Sequence, residues 1–255
     1  MSIVDDTAER LSRLRDVVEA GATVTNEDVA FLRECLGHAR KSQQRAAAES
    51  LAALVRLDPQ REAALHEALE SFDPRVRWGA AYAASLLGEF PSAAIDTAIC
   101  LLGADDRDLR WAAANLIRRG ACAEPAVMKR LVDTARKGNL LQRRMALYAA
   151  RDVPVSDSTA IVAAEEALGQ PDVELRLAGL AALVQLSREP SKAADLIIGL
   201  LDDPELRVQR AAAAALGSLG CRSPSVTRAI ERALVSSDES VRRAAKKSLE
   251  RLGTA

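Results

Sequence analysis

The sequence predicts an all-α fold, an α-solenoid of stacked helix pairs, on three observations. The first is periodicity. Stepping by 33 from Val76 gives Leu109, Gln142, Leu175, Val208 and Val241, and from Arg77 it gives Arg110, Arg143, Arg176, Gln209 and Arg242. The Asp73 column reads Asp106, Asn139, Asp172, Glu205 and Asp238, and the Ala80 column Ala113, Ala146, Gly179, Ala212 and Ala245. Agreement of four columns over six units marks a stacked array. The second is composition: 49% of the 255 residues are hydrophobic but only 3% are aromatic, so small helix formers build the core. The third is punctuation. In FDPRVRWGAAYAASLLGEFPSAAID, Asp73 and Pro74 open a helix, and Gly88 and Pro91 close it.

Each unit therefore reads as two antiparallel helices. Val76, Ala80, Ala83, Ala84 and Leu87 share one face of the second helix, and Ile95, Ala98, Ile99 and Leu102 share a face of the next first helix. Thr25 with Asp28 resembles a capping box, and Val29, Leu32, Cys35 and Leu36 follow on one face. Seven pairs result, at 26–57, 61–88, 92–120, 124–153, 157–187, 191–219 and 224–252. A helix over 4–20, with Val4, Ala8, Leu11, Leu14, Val17 and Val18 on one side, precedes them as an N-terminal cap, since terminal repeats need a polar outer face. The pair over 224–253 reads as the C-terminal cap, because Arg242, Arg243, Lys246, Lys247, Glu250 and Arg251 crowd its last helix. Repeats fill 26–223 between the caps, and the expectation is one continuous domain over 1–255.

The runs FDPRVRWGAAYAASLLG, LLDDPELRVQRAAAAALGSLG and LVSSDESVRRAAKKSLERLG resemble HEAT repeats in their short bacterial form, the form also seen in phycobilin lyases. The resemblance spans about 26–253. It implies a right-handed superhelix whose second helices line the concave side, and it implies an interaction scaffold more than a particular chemistry.

Around the helical wheel, positions 78, 81, 82 and 85 lie opposite the core-facing residues. This face holds Trp78, Tyr82 and Ser85, then Trp111, Asn115 and Arg118, then Arg144, Leu147, Tyr148 and Arg151. Both tryptophans and both tyrosines thus fall on one stripe. Aromatics and Arg are enriched at interface hot spots, so Trp78, Tyr82, Trp111, Asn115, Arg118, Arg144, Tyr148 and Arg151 are the candidate partner-binding residues. Packing of the tryptophans between adjacent helices is the alternative. In the fifth and sixth units the same face carries an apolar strip, Leu177, Leu180 and Val184, which suits partner contact, self-association or burial by tighter curvature. Asp73/Arg77, Asp106/Arg110, Asp172/Arg176 and Asp238/Arg242 stand four apart and are expected to pair within their helices, with an electropositive ligand groove as the alternative reading of the Arg column.

The expected function is a non-enzymatic scaffold gripping another protein, an acidic or extended segment, in its groove. Two other readings follow from the resemblance: a chaperone or enzyme like the phycobilin lyases, and a nucleic-acid-binding protein of the type of alkylpurine DNA glycosylases. Against the last, Asn115 stands four residues after Trp111 where a carboxylate would be needed. A net charge of −1 also gives no bulk attraction to nucleic acid or an anionic membrane, though Arg110, Arg118, Arg143, Arg144 and Arg151 could track phosphates. Only two histidines, His38 and His66, are present, with no second His at zinc-protease spacing and no C-x-x-C pair. Hence no metal, cofactor or catalytic residue is expected. The opening MSIVDDTAERLSRLR does not read as a secretory signal, and Cys35, Cys100, Cys122 and Cys221 are expected as reduced thiols in the cytoplasm.

Overall fold

A computed structural model describes residues 3–88, 90–122, 124–153 and 157–253, with side chains from Asp6 onward, so Val4 of the expected cap face lies outside the described side chains. Among the described residues all regular structure is helical. An opening helix, α1 (Ile3–Glu19), precedes seven pairs: α2 (Asn26–Cys35) with α3 (Lys41–Leu57), α4 (Glu62–Leu69) with α5 (Pro74–Leu86), α6 (Ser92–Leu101) with α7 (Arg107–Gly120), α8 (Pro125–Lys137) with α9 (Leu140–Asp152), α10 (Ser158–Leu168) with α11 (Val173–Leu186), α12 (Pro190–Ile198) with α13 (Leu206–Leu219), and α14 (Pro224–Ala233) with α15 (Glu239–Leu252). The second helices begin at 41, 74, 107, 140, 173, 206 and 239, each one sequence period after the last. The period is thus a property of the backbone.

Backbone contacts divide the chain into two compact units, Met1–Arg130 and Leu131–Ala255, with the division inside α8. In the first, α3, α5 and α7 stack in series, α2, α4 and α6 form a second layer, and α1 packs on α3. Leu11, Leu14 and Val18 of α1 are buried, and Val18 joins Val24, Val29 and Leu54 in one cluster. Arg10 on the same helix donates to Asp28 and lies 4.0 Å over the Phe31 ring. In the second unit, α9, α11, α13 and α15 stack in series, with α10, α12 and α14 alongside.

Local signals explain why most second helices start where they do; Arg40, before α3, makes no side-chain cap bond. Asp73, Asp106, Asp172 and Asp238 each accept hydrogen bonds from backbone N–H groups of the first turn, and Asn139 forms a capping box with Gln142. Glu205 makes no such bond; Asp203 instead accepts from the Glu205 N–H at 2.9 Å. The box of Thr25 and Asp28 is present in both directions.

The Arg column does something other than the expected pairing along the helix. No ion pair joins Asp73 to Arg77, or its counterparts, among the described residues. Arg77 donates to the carbonyls of Ser71 and Phe72, Arg110 to those of Ala104 and Asp105, Arg176 to those of Gln170 and Pro171, and Arg242 to those of Ser236 and Ser237, at 2.7–3.1 Å. Arg143 reaches Ala135 O and Gln209 reaches Asp203 O. One period earlier than Arg77, Gln44 donates to Leu36 O at 2.7 Å. All seven side chains thus satisfy carbonyls left open where the preceding helix ends. The caps already occupy the aspartates with N–H groups, and a guanidinium gains more from carbonyls that have no other partner.

On the opposite surface, exposed ion pairs join successive first helices, as in Arg33–Glu67 at 2.6 Å and Asp96–Arg130 at 2.7 Å in the first unit and Arg136–Glu166 at 2.8 Å in the second. Solvent-exposed pairs contribute about 0–1 kcal/mol each, so this layer is held mainly by its apolar faces.

Candidate partner-binding surface

One column of the expected surface is internal. Ala81, Ala114, Leu147, Leu180 and Ala213, which occupy one position of five successive repeats, are at most 9% exposed. Position 81 lies about 100° round the wheel from the core centre at 80, which turns it toward the neighbouring second helix. Leu180 (2% exposed) therefore packs inside, and Leu177 and Val184 are half-buried. The three make no exposed apolar strip.

The accessible face is carried by the columns of 78, 82 and 85. Here the first unit brings the candidate residues together. Trp78 is 6% exposed and stacks on Tyr82 with centroids 5.4 Å apart and rings 4° from parallel. Arg119 lies 5.3 Å over the other partner of that stack, the Tyr82 ring. Ser85 donates to Tyr82 O at 2.7 Å. So Trp78 packs, as in the alternative reading, with its ring stacked on Tyr82 one turn further along the same helix. By contrast Trp111 is 42% exposed, and Asn115 and Arg118 are exposed beside it.

Trp78 and Trp111 border a cavity of about 200 Å³ at the N-terminal ends of α3, α5 and α7. His38, Lys41, Gln44, Arg45, Arg75, Asp106, Asp108 and Asn115 complete most of its wall. Two ion pairs cross it: Lys41 Nζ to Asp108 Oδ2 at 2.8 Å and Arg75 Nη2 to Asp106 Oδ2 at 3.4 Å. Hydrogen bonds from the backbone N–H groups of Asp108 and Leu109, with Arg75 adding to them, hold the Asp106 carboxyl below the usual carboxylate range. Arg45 has no hydrogen-bonding or ionic partner among the described residues. Trp78 Nε1 is enclosed by protein and also unpartnered; a buried donor left in this state costs about 1–3 kcal/mol.

Sequence reasoning missed Arg45, His38 and the two crossing ion pairs. Arg45 was within reach, because it stands one period before Trp78 in the same column. The ion pairs were not, since Lys41 and Asp108 are 67 residues apart and meet only when three helices stack.

In the second unit the candidates are engaged internally. Arg144 Nη1 is 3.5 Å from Glu174, which also holds Arg207 at 2.7 Å. Arg151 is bound to Asp152 at 2.7 Å and lies 5.5 Å from the Tyr148 ring centroid, and its own acidity is weakened chiefly by that carboxylate. Together with the carbonyl bonds of Arg110 and Arg143, this leaves Arg118 as the member of the expected phosphate-tracking stripe without a side-chain partner among the described residues.

All four cysteines are free. His66 sits on α4 facing Glu62 at 3.3 Å, and His38 Nδ1 accepts from the Arg40 backbone N–H at 3.0 Å. Among the described residues no group of three or more His, Cys, Asp or Glu side chains is disposed to hold a metal, and no helix is long and apolar enough to cross a membrane.

The sequence profile described as HEAT repeats matches residues 29–118 and 161–250, more than half of the chain. No curated protein matches this chain. Among solved structures, an engineered protein from the Northeast Structural Genomics Consortium is 20% identical, with 95% of this chain and 71% of that one covered at a TM-score of 0.44. Human deoxyhypusine hydroxylase in complex with glycerol is 17% identical, with 96% and 89% covered at a TM-score of 0.42. Likeness at these levels says nothing about activity.

Proposed function

We propose that this chain, which belongs to the HEAT-repeat family, is a non-enzymatic scaffold that binds another polypeptide on the second-helix face of its N-terminal unit. The observation that carries the reading is Trp111, a large aromatic left 42% exposed at the rim of a cavity and flanked by Asn115 and Arg118. Aromatic and Arg side chains around a pocket are the usual composition of an interface hot spot. An extended, acidic segment suits the unpaired Arg45 and Arg118. Four free cysteines suit action in the reducing cytoplasm.

The other readings find less support. A cavity of about 200 Å³ is smaller than the roughly 300–1,000 Å³ of sites for drug-sized molecules, so it does not suit a tetrapyrrole. Nucleic-acid tracking needs free cations along the face, and most of those arginines are bound to carbonyls or carboxylates. Self-association through the Leu177, Leu180 and Val184 strip loses its motive with Leu180 inside.

A photo-cross-linking amino acid at position 115 tests the proposal in cells of the native source, with the same residue at 63 on α4 as the control. Cross-links to another polypeptide at 115 and not at 63 are expected, weakened about tenfold or more by Trp111→Ala. Equal labelling at both positions, or none at 115, overturns it.

A further inference from the structure

The cavity beside Trp111 has a chemistry of its own. At about 200 Å³ it exceeds the roughly 150 Å³ that holds a benzene molecule, yet falls short of a site for a whole small-molecule ligand. Its size therefore fits one side chain.

The wall supplies donors in excess. Lys41 and Arg75 are committed to Asp108 and Asp106, which leaves Arg45 as an uncompensated positive charge. Trp78 Nε1–H is enclosed and lacks an acceptor. His38 accepts at Nδ1 from the Arg40 N–H, which selects the tautomer carrying its proton on Nε2 and makes that atom another donor. The N-terminal ends of three helices add positive potential. A single negative charge completes this set. A phosphoryl group, close to doubly charged, would meet the carboxylates of Asp106 and Asp108 and be repelled.

Building on the scaffold reading, we propose that this cavity takes the carboxylate of one aspartate or glutamate side chain from an extended partner segment. Arg45 is its ionic partner and Trp78 Nε1–H its hydrogen-bond donor. Because that N–H is enclosed by protein atoms, the acceptor reaches it through a small shift of the wall. Trp111 covers the stem of the entering side chain at the rim.

The chain has two tryptophans, hence two indole N–H signals in a spectrum of the nitrogen-15-labelled full-length protein, and Trp111→Phe identifies the one from Trp78. N-acetyl-glutamate N-methylamide is the probe, with the glutamine analogue and inorganic phosphate as comparisons. A saturable downfield shift of the Trp78 signal is expected with the glutamate compound alone. Arg45→Ala, at an exposed position, should leave helicity and thermal unfolding unchanged and weaken the binding about fivefold. An unmoved Trp78 signal, equal saturation by the glutamine analogue, or tighter binding of phosphate overturns the assignment. Cross-linking at 115 with an unmoved Trp78 would retain the scaffold and discard the carboxylate pocket. A shifted Trp78 with no cross-linked polypeptide would remove the scaffold and the partner segment with it.

Discussion

Arg176 and Asp203 meet across one repeat, with Nε 2.8 Å from Oδ2 and Nη2 2.9 Å from Oδ1. Both side chains are at most 9% exposed. The contact joins two local devices: Arg176 Nη1 holds the carbonyls of Gln170 and Pro171, and Asp203 accepts the backbone N–H of Glu205 at the start of α13. Removing one member leaves the other charged and buried, which costs about 3–5 kcal/mol. Asp203→Ala should lower the urea midpoint accordingly. Adding Arg176→Met to it should restore part of the loss, because no unpaired charge then remains. A strictly additive double variant would show that the two side chains are not coupled.

The carbonyl clamp explains why position 110 is Arg and why Gln is found at 44 and 209. Arg110→Ala loses both bonds, to Ala104 O and Asp105 O, and should cost about 1.5 kcal/mol. Arg110→Gln should cost about half of that, since at both of its natural positions a glutamine amide reaches one carbonyl where the preceding helix ends, Gln44 adding a bond to Arg75 O. Chemical denaturation of the two variants ranks them, and equal losses would argue that the guanidinium acts through charge alone.

Gly217 lies in the last turn of α13. A Cβ there would stand 2.4 Å from Ser248 Oγ and 2.7 Å from Ser248 Cα on α15, and Ser248 Oγ is itself tied to Ala213 O at 2.8 Å. Gly217→Ala is therefore expected to destabilise by about 1–3 kcal/mol. Gly199→Ala, where the added methyl meets open space, should be neutral or stabilising by up to about 1 kcal/mol. Thermal unfolding of the pair is the measurement.

Asp28, Asp106, Asp157 and Asp238 all have carboxyls held below the ordinary range, by side-chain bonds from Thr25, Thr159 and Ser240 in three cases and by backbone N–H groups first in the case of Asp106. Groups more acidic folded than unfolded contribute stability above the unfolded value, near 3.9, and lose it as pH falls through the folded one. The urea midpoint should thus change little with these groups between about pH 7 and 5 and decline below about pH 4. Asp106→Asn should flatten that decline while keeping an N-cap acceptor. An unchanged slope would count against the role of Asp106.

Burial pushes the Cys35 thiol up to about 11, with Glu34 adding to it. At pH 8 a thiol reagent should label the exposed Cys100 and Cys122 at once and reach Cys35 only in denaturant. Rapid native labelling of Cys35, read by peptide mass, would contradict its burial.

The helix pairs were legible because local signals and period agree: caps at Asp73, Asp106 and Asp238 and the glycines after α5, α13 and α15 restate in several units what the register says globally. The surface was less legible. A wheel drawn for one helix has a core side and a water side, but a stacked helix has two flanking neighbours as well. Position 81 looks outward on the wheel and is internal in five repeats, while Trp78 buries a large ring that no periodicity could orient. The partner of each Arg in its column was hidden for another reason: one helical turn before it stands Asp73 or its equivalent, whereas unsatisfied carbonyls leave no mark in side-chain identity.

The second helices start at equal intervals, and that sets a rule for length. Inserting or excising a segment of one such interval would hand every clamp, cap and neighbour-facing alanine to an equivalent substitute. A segment that is not a whole number of intervals would take the guanidinium out of register with the carbonyls it holds from that point onward. Such a chain can grow or shrink by whole rungs while each rung remains chemically intact.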